Sequence, residues 1–305
     1  MADVPSRRSP GGELPMLLSV LALSVMQSLV RYLGASVSSW TKAFYRSLFT
    51  VIILLGWMLI RRERIRFNSW SLLLMRGLIG AISMTFFFWA IDLIGLLTAT
   101  LCLYVYPVFA ILFALLLFKE RFSLWVVAPL GCALAGLYLI VNPGFQRFTL
   151  GHGIALAAAL LGGLARAALR QLRKTDSPSN IVILFMSFAV VLSGIGVFLI
   201  PDQSWRFIPS ANLTETTIWV LLAAIALLSA FAHVMVTVAY RRLSTATASI
   251  MTMLILPITA VIAVLYFHEP LTVNKIVGGL LITAAGIGVS VVPSLQRSSV
   301  ADADH

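Results

Sequence analysis

The chain has 305 residues, 60% of them hydrophobic and only 11% charged, with a formal net charge of +11 and a mean hydropathy of +0.99. A water-soluble fold of this size has too little polar surface in hand to cover its core, which excludes a soluble enzyme or a nucleic-acid-binding domain as the body of the chain. Runs of more than 20 residues without a charge recur instead, and about 20 apolar residues at 1.5 Å rise cross a hydrocarbon core of about 30 Å.

Taken in chain order, residues 1–13 predict a cytoplasmic tail carrying Arg7 and Arg8, followed by a first span, Pro15–Leu33. A cleaved signal peptide is the competing reading; the apolar part is long for one, and the internal symmetry of the chain requires it. The second and third spans, Ala43–Ile60 and Trp70–Ile91, each admit a charge. Leu93–Phe118 and Phe122–Gln146 are charge-free and supply the fourth and fifth. After an outer linker at 142–150 come Gly151–Leu172, Ser177–Pro201, Thr216–Tyr240, Leu243–Phe267 and Ile276–Gln296, then a second cytoplasmic tail at 294–305. The expectation is an all-α integral membrane protein with ten transmembrane helices. The stretch from Asp202 to Glu215 is too short for a globular domain. Cys102 and Cys132 fall inside spans and read as buried small hydrophobes.

Arginine and lysine give an orientation. With ten spans, one face carries the termini and the even-to-odd loops and holds fourteen of the 22 basic residues, including Arg61, Arg62, Arg173, Lys174, Arg241 and Arg242. The opposite loops hold four, Lys42, Arg147, Arg206 and Lys275. Basic loops remain cytoplasmic, so both termini are expected inside. The location expected is the plasma membrane, which is the inner membrane in a bacterium.

The chain also repeats itself. "PVFAILFALLLFKERFS" begins at Pro107 and "PITAVIAVLYFHEPLT" at Pro257, each a proline, an apolar run and a glutamate, Glu120 and Glu269. The echo extends upstream (Leu97–Pro107 against Ala246–Pro257) and downstream (Gly131–Val141 against Gly278–Val289). Five spans in each half, residues 14–141 and 151–293, place the second half upside down relative to the first. Two inverted five-helix repeats are a signature of secondary transporters, whose halves exchange conformations around a central site. The paired proline–glutamate segments, the Gly- and Ala-rich closing helices and "FYRSLF" (Phe44–Phe49) resemble the drug/metabolite transporter superfamily, EamA type, over Leu14–Pro293. Within it the chain resembles the aromatic amino-acid exporters of the YddG type. The resemblance implies ten helices, a working monomer and export of metabolites or amino acids.

Pro107 and Pro257 lie near mid-span and are expected to act as hinges. A proline leaves the carbonyl four residues earlier without its donor, here those of Leu103 and Met253, which a kink against a neighbouring hydroxyl or a cargo ammonium can satisfy. Polar residues at helical spacing mark faces that turn away from lipid: Ser24, Gln27, Ser28 and Arg31; Thr85, Trp89 and Asp92; Thr100, Tyr104 and Pro107; Ser229, His233 and Thr237. The substrate-binding candidates are Gln27, Arg46, Thr85, Trp89, Thr100, Tyr104, His233, Thr237 and Met253. Interhelical hydrogen bonding is the competing role for any one of them. Arg31 and Arg166 read as snorkelling to the headgroups, whereas for Arg46 and Arg76 snorkelling and carboxylate binding both stay open. An anionic cargo would require several inward arginines.

No Asp or Glu falls well inside a span, and the first helix offers Gln27 where a proton-coupled pump needs an acid, so a facilitator or exchanger without strict proton coupling is expected. Rings crowd Phe86–Trp89, Tyr104 and Tyr106, which fits a planar apolar cargo, with core and lipid-facing packing as the competing role. No HExxH and no pair of intramembrane aspartates occurs, so no enzyme, cofactor or metal site is expected. The partners expected are a small-molecule substrate and the lipid bilayer, not nucleic acid. The Gly-rich fifth and tenth spans read as scaffold, with a dimer seam as the alternative. Another cargo class, such as nucleobases, S-adenosylmethionine or drugs, is the competing function.

Overall fold

In lipid the backbone finds no water to bond, so apolar runs close their hydrogen bonds internally as helices. The computed structural model describes residues 11–34, 37–63, 68–94, 96–119, 124–141, 148–199, 214–268, 273–274 and 276–288. Among these, every regular element is helical: α1 (Glu13–Leu33), α2 (Ser39–Arg61), α3 (Trp70–Leu74), α4 (Gly80–Ile94), α5 (Leu96–Leu103), α6 (Tyr106–Leu116), α7 (Val127–Val141), α8 (Leu150–Leu172), α9 (Pro178–Leu199), α10 (Glu215–Ala239), α11 (Thr245–Thr252) and α12 (Ile255–Phe267). A last apolar helix, α13, covers Ile276–Gly288. Glu120, Glu269, the outer linker at 142–147 and most of both tails lie outside the described residues, as does the side chain of Asp92.

Starts are written locally. The hydroxyls of Ser38, Thr214 and Ser244 accept the backbone N–H of Thr41, Thr217 and Thr247 at 3.1, 3.3 and 3.0 Å, opening α2, α10 and α11. Among the described residues, seven stretches are long and apolar enough to cross a membrane, and Tyr106–Leu116, Val127–Leu139 and Ile276–Gly288 are shorter apolar helices.

The expected spans differ in three places. A π-helical turn, Met75–Ile79, joins α3 to α4. The fourth span is broken at Tyr104–Val105, and the ninth has a turn at Met253–Leu254 between α11 and α12. Each interruption precedes its proline by two to four residues, so the lost donor and the ring end the helix rather than bend it. At the second turn the freed Met253 carbonyl is taken by the Leu256 N–H at 3.0 Å, and at the first Val108 donates to the Val105 carbonyl at 3.0 Å.

Packing joins the N-terminal half to the C-terminal half. α1 lies on α10, α2 on α9 and α10, α4 on α8 and α9, α6 on α8 and α11, and α1 also on α12. Small residues permit this closeness: a Cβ at Gly136 of α7 would sit 2.5 Å from the Gly278 carbonyl oxygen of α13. The glycine-rich helices therefore pack on each other within the chain. Cys102 is buried as expected, but Cys132 is exposed on α7, since a thiol facing hydrocarbon loses nothing that burial would supply.

One end of the bundle gathers basic loops. The Asn68 backbone N–H donates to Asp176 Oδ1 (2.9 Å) and its Nδ2 to the Thr175 carbonyl (2.7 Å), tying the α2–α3 loop to the α8–α9 loop. Arg173 Nε donates to the Thr237 carbonyl at 3.0 Å, bringing in the end of α10. Gly12, at the start of α1, faces Leu243. Arg61, Arg62, Arg173, Lys174, Arg241 and Arg242 thus share one end, as the basic-loop pattern requires.

Candidate functional site

A cavity of about 160 Å³ lies between α1, α2, α4, α8, α10 and the two interrupted helices. That is close to the roughly 150 Å³ of an engineered cavity that holds benzene, so it has room for one ring-sized body. On α4 the wall is Gly80, Ser83, Met84 and Phe87, one face at helical spacing. Leu103, Tyr104 and Tyr106 come from the first interruption, and Thr252 and Ile255 flank the second.

Three guanidinium groups face this space: Arg46 of α2, Arg76 of the π-turn and Arg166 of α8. Arg46 and Arg76 are only 7% and 8% exposed, and the Nε of each has no hydrogen-bond partner. Arg46 Nη2 reaches the Met84 thioether, a weak acceptor. Arg166 Nη1 donates to the Gly162 carbonyl at 3.4 Å. Each guanidinium also rests on a ring, Arg46 on Phe88 (5.6 Å), Arg76 on Phe185 (4.3 Å) and Arg166 on Tyr106 (3.7 Å). Such contacts contribute about 0.5–2 kcal/mol each, whereas taking an ion out of water costs several kcal/mol. The rings hold the guanidiniums without offsetting their burial.

Tyrosines close one side. Tyr106 donates from its hydroxyl to the Ser249 carbonyl at 3.2 Å, and the Tyr240 and Ser249 hydroxyls lie 3.3 Å apart. Gln27 Nε2 donates to the Tyr104 hydroxyl at 3.4 Å. His233 packs edge-on to Phe185 at 5.5 Å.

Of the candidates read from sequence, Gln27, Arg46, Tyr104 and His233 converge on the cavity. The other five stand elsewhere. Thr85 has a buried hydroxyl without a partner, and Trp89 is exposed beside Phe86. Thr100 accepts the Tyr104 N–H at 2.9 Å through its carbonyl. Thr237 turns its hydroxyl to the His233 carbonyl at 2.6 Å. Met253 is fully buried in the core, its carbonyl already taken by Leu256. Pro107 and Pro257 sit just inside the helices that restart after each interruption.

The two arginines expected to snorkel part ways. Arg31 is exposed at the end of α1, but Arg166 lies against Tyr106 on the cavity wall, because a flat ring within reach captures the guanidinium before the headgroups do. Sequence reasoning also left out Tyr240, Thr252 and Ser83. The one available signal was that Arg76, Gly80 and Ser83 recur at helical spacing.

The EamA-like transporter family model matches the chain twice, over residues 10–142 and 149–291. The chain belongs to the EamA-like transporter family. Among curated members of this kind, the Pseudopaline exporter CntI of Pseudomonas aeruginosa (strain UCBPP-PA14) is 29% identical over 281 residues, covering 90% of this chain and 95% of that protein. The S-adenosylmethionine uptake transporter of Rickettsia prowazekii (strain Madrid E) is 26% identical over 135 residues, 43% of this chain and 45% of its own. A crystal structure with 18% sequence identity superposes with a TM-score of 0.77 over 92% of this chain and 98% of that one, which establishes the likeness of fold. This EamA-like chain is thus a multi-pass membrane transporter by family, and the cavity is where its cargo chemistry is to be sought.

Proposed function

We propose that this EamA-like chain is a secondary transporter that exports small carboxylate-bearing metabolites, amino acids including aromatic ones among them. It works by alternating access through the central cavity, without strict proton coupling. The observation that carries this reading is the cavity itself: three guanidiniums and several rings at the level where two helices are interrupted. A guanidinium fork fits a carboxylate and a ring wall fits an apolar side chain. Among the described residues the lining contains no Asp or Glu, which supports transport driven by the cargo's own gradient.

Ten spans in two inverted repeats, with both termini cytoplasmic, complete the proposal. Two tandem matches of one family model support a repeat. So does the packing, in which exchanging the halves turns α1 on α10 into α8 on α4, α2 on α10 into α9 on α4, and α6 on α8 into α12 on α1, all of them observed contacts. The basic end formed by the α2–α3, α8–α9 and α10–α11 loops supports the orientation.

Purified protein in liposomes, given labelled phenylalanine or tryptophan at equal pH on both sides, tests this. Saturable uptake that persists without a proton gradient is expected. Folded protein that moves no amino acid under any gradient removes the reading. The second reading, a cargo such as S-adenosylmethionine, draws on the name of the Rickettsia relative; three inward guanidiniums count against any cargo of net positive charge.

A further inference from the structure

We propose that the cavity selects cargo of net negative charge bearing at least two carboxylates, bound between Arg46 and Arg76 with Arg166 adding to the field. This rests on the cavity being the transport site and ranks its cargo, the acidic metabolites and acidic amino acids binding first and the aromatic amino acids more weakly.

The arginines come from separate elements, α2, the π-turn and α8, so they are not one basic helix face directed at headgroups. Arg46 and Arg76 are more than nine-tenths buried, line the cavity and keep an unpartnered Nε. Space has been left for them. A Cβ at Gly80 would collide with Arg76 Nη1, and one at Gly162 would lie 3.2 Å from Arg166 Nη1 and 2.9 Å from Ser83 Oγ. A side chain at Gly80 would close the pose that Arg76 adopts.

The charge balance decides the class. A zwitterion brings one carboxylate and one ammonium, and the ammonium would enter a space with three guanidiniums and, among the described residues, no acid. A single carboxylate fills one fork and leaves the other unpaired. Two carboxylates fill both, and the third guanidinium tolerates a further acid or opposes an ammonium elsewhere on the cargo. The volume of about 160 Å³ keeps the body between them compact.

The test measures binding to the purified full chain in detergent by calorimetry and thermal denaturation, with isethionate replacing chloride. Succinate and L-glutamate are expected to bind at least about tenfold more tightly than L-phenylalanine. Arg46→Gln and Arg76→Gln should each weaken succinate by about tenfold or more, yet raise the melting temperature of the empty chain, because an unpaired buried charge is removed. A purely structural arginine would lower it. Arg46→Lys and Arg76→Lys, which keep the charge and lose the fork, should bind with intermediate affinity and serve where a Gln variant does not fold.

Phenylalanine binding as tightly as succinate, or variants within twofold of the parent, would overturn the proposal. So would chloride occupying the site without competition from either dicarboxylate, which would make it a halide site. Dicarboxylate binding without transport in vesicles would remove the transport reading and leave only the cavity's binding preference standing. Phenylalanine transport with no dicarboxylate binding would do the reverse.

Discussion

The two helix interruptions share a backbone plan and differ in what they offer the cavity. Between α5 and α6 the chain contributes Leu103, Tyr104 and Tyr106, with two phenol groups: one accepts from Gln27, the other donates to Ser249. Between α11 and α12 the turn residues Met253 and Leu254 stay in the core, and only Thr252 and Ile255 reach the wall. There the polar contact is to backbone, the Ser24 hydroxyl lying 3.4 Å from the Ile255 carbonyl. Surroundings differ as well. α8 presses Gly163 onto the backbone of α6, where a Cβ would meet Ala110 N at 2.8 Å, while a Cβ at Gly279 would meet Pro257 at an ordinary 3.5 Å. Repetition fixes where a helix stops, and the local side chains then assign one interruption to cargo and the other to packing.

The largest expected break in that contrast is Gly163→Ala. The methyl group meets backbone that cannot move aside, so about 1–3 kcal/mol of stability should be lost, whereas Gly279→Ala should stay within about 0.5 kcal/mol. Melting curves of both variants in detergent check this, and equal shifts would erase the difference between the two sites. Next comes Pro107→Ala against Pro257→Ala. Letting the helix run on through the cavity-lining interruption should slow exchange by about tenfold, against about threefold at the second, tenfold being about 1.4 kcal/mol of barrier. Counterflow in proteoliposomes reads the ratio; a larger effect at Pro257 would assign the hinge to the other half.

A smaller effect sharpens the chemistry. Tyr106→Phe leaves the ring under Arg166 but strips the donor from the Ser249 carbonyl, at a cost of about 1 kcal/mol. Tyr104→Phe loses only a 3.4 Å contact with Gln27 and should cost less. Both are measured as stability, and the reverse order would mean that Tyr104 carries the interruption.

Much of the fold was legible in the residues. Apolar runs gave the spans, and the two prolines located the disturbances that became interruptions. The site was legible in part. Thr85 and Trp89 do share one face of α4, as their spacing says, but the cavity lies on the Gly80–Ser83–Met84–Phe87 face. Spacing tells which residues lie together on a helix and not which neighbour that face meets. The π-turn further weakens the inference around Arg76, because it adds a residue to one turn and so rotates α3 relative to α4 about their common axis.

The sequence by itself determined that this protein crosses a membrane, that two prolines disturb its helices near mid-span and that its basic loops share an end, since these come from hydropathy, backbone chemistry and charge along the chain. Tertiary structure alone decided that Arg46, Arg76 and Arg166, 30 and 90 residues apart in turn, point into one space. A guanidinium has a long stem, and whether it snorkels, stacks on a ring or waits for an anion depends on the surfaces within its reach, which only packing brings there.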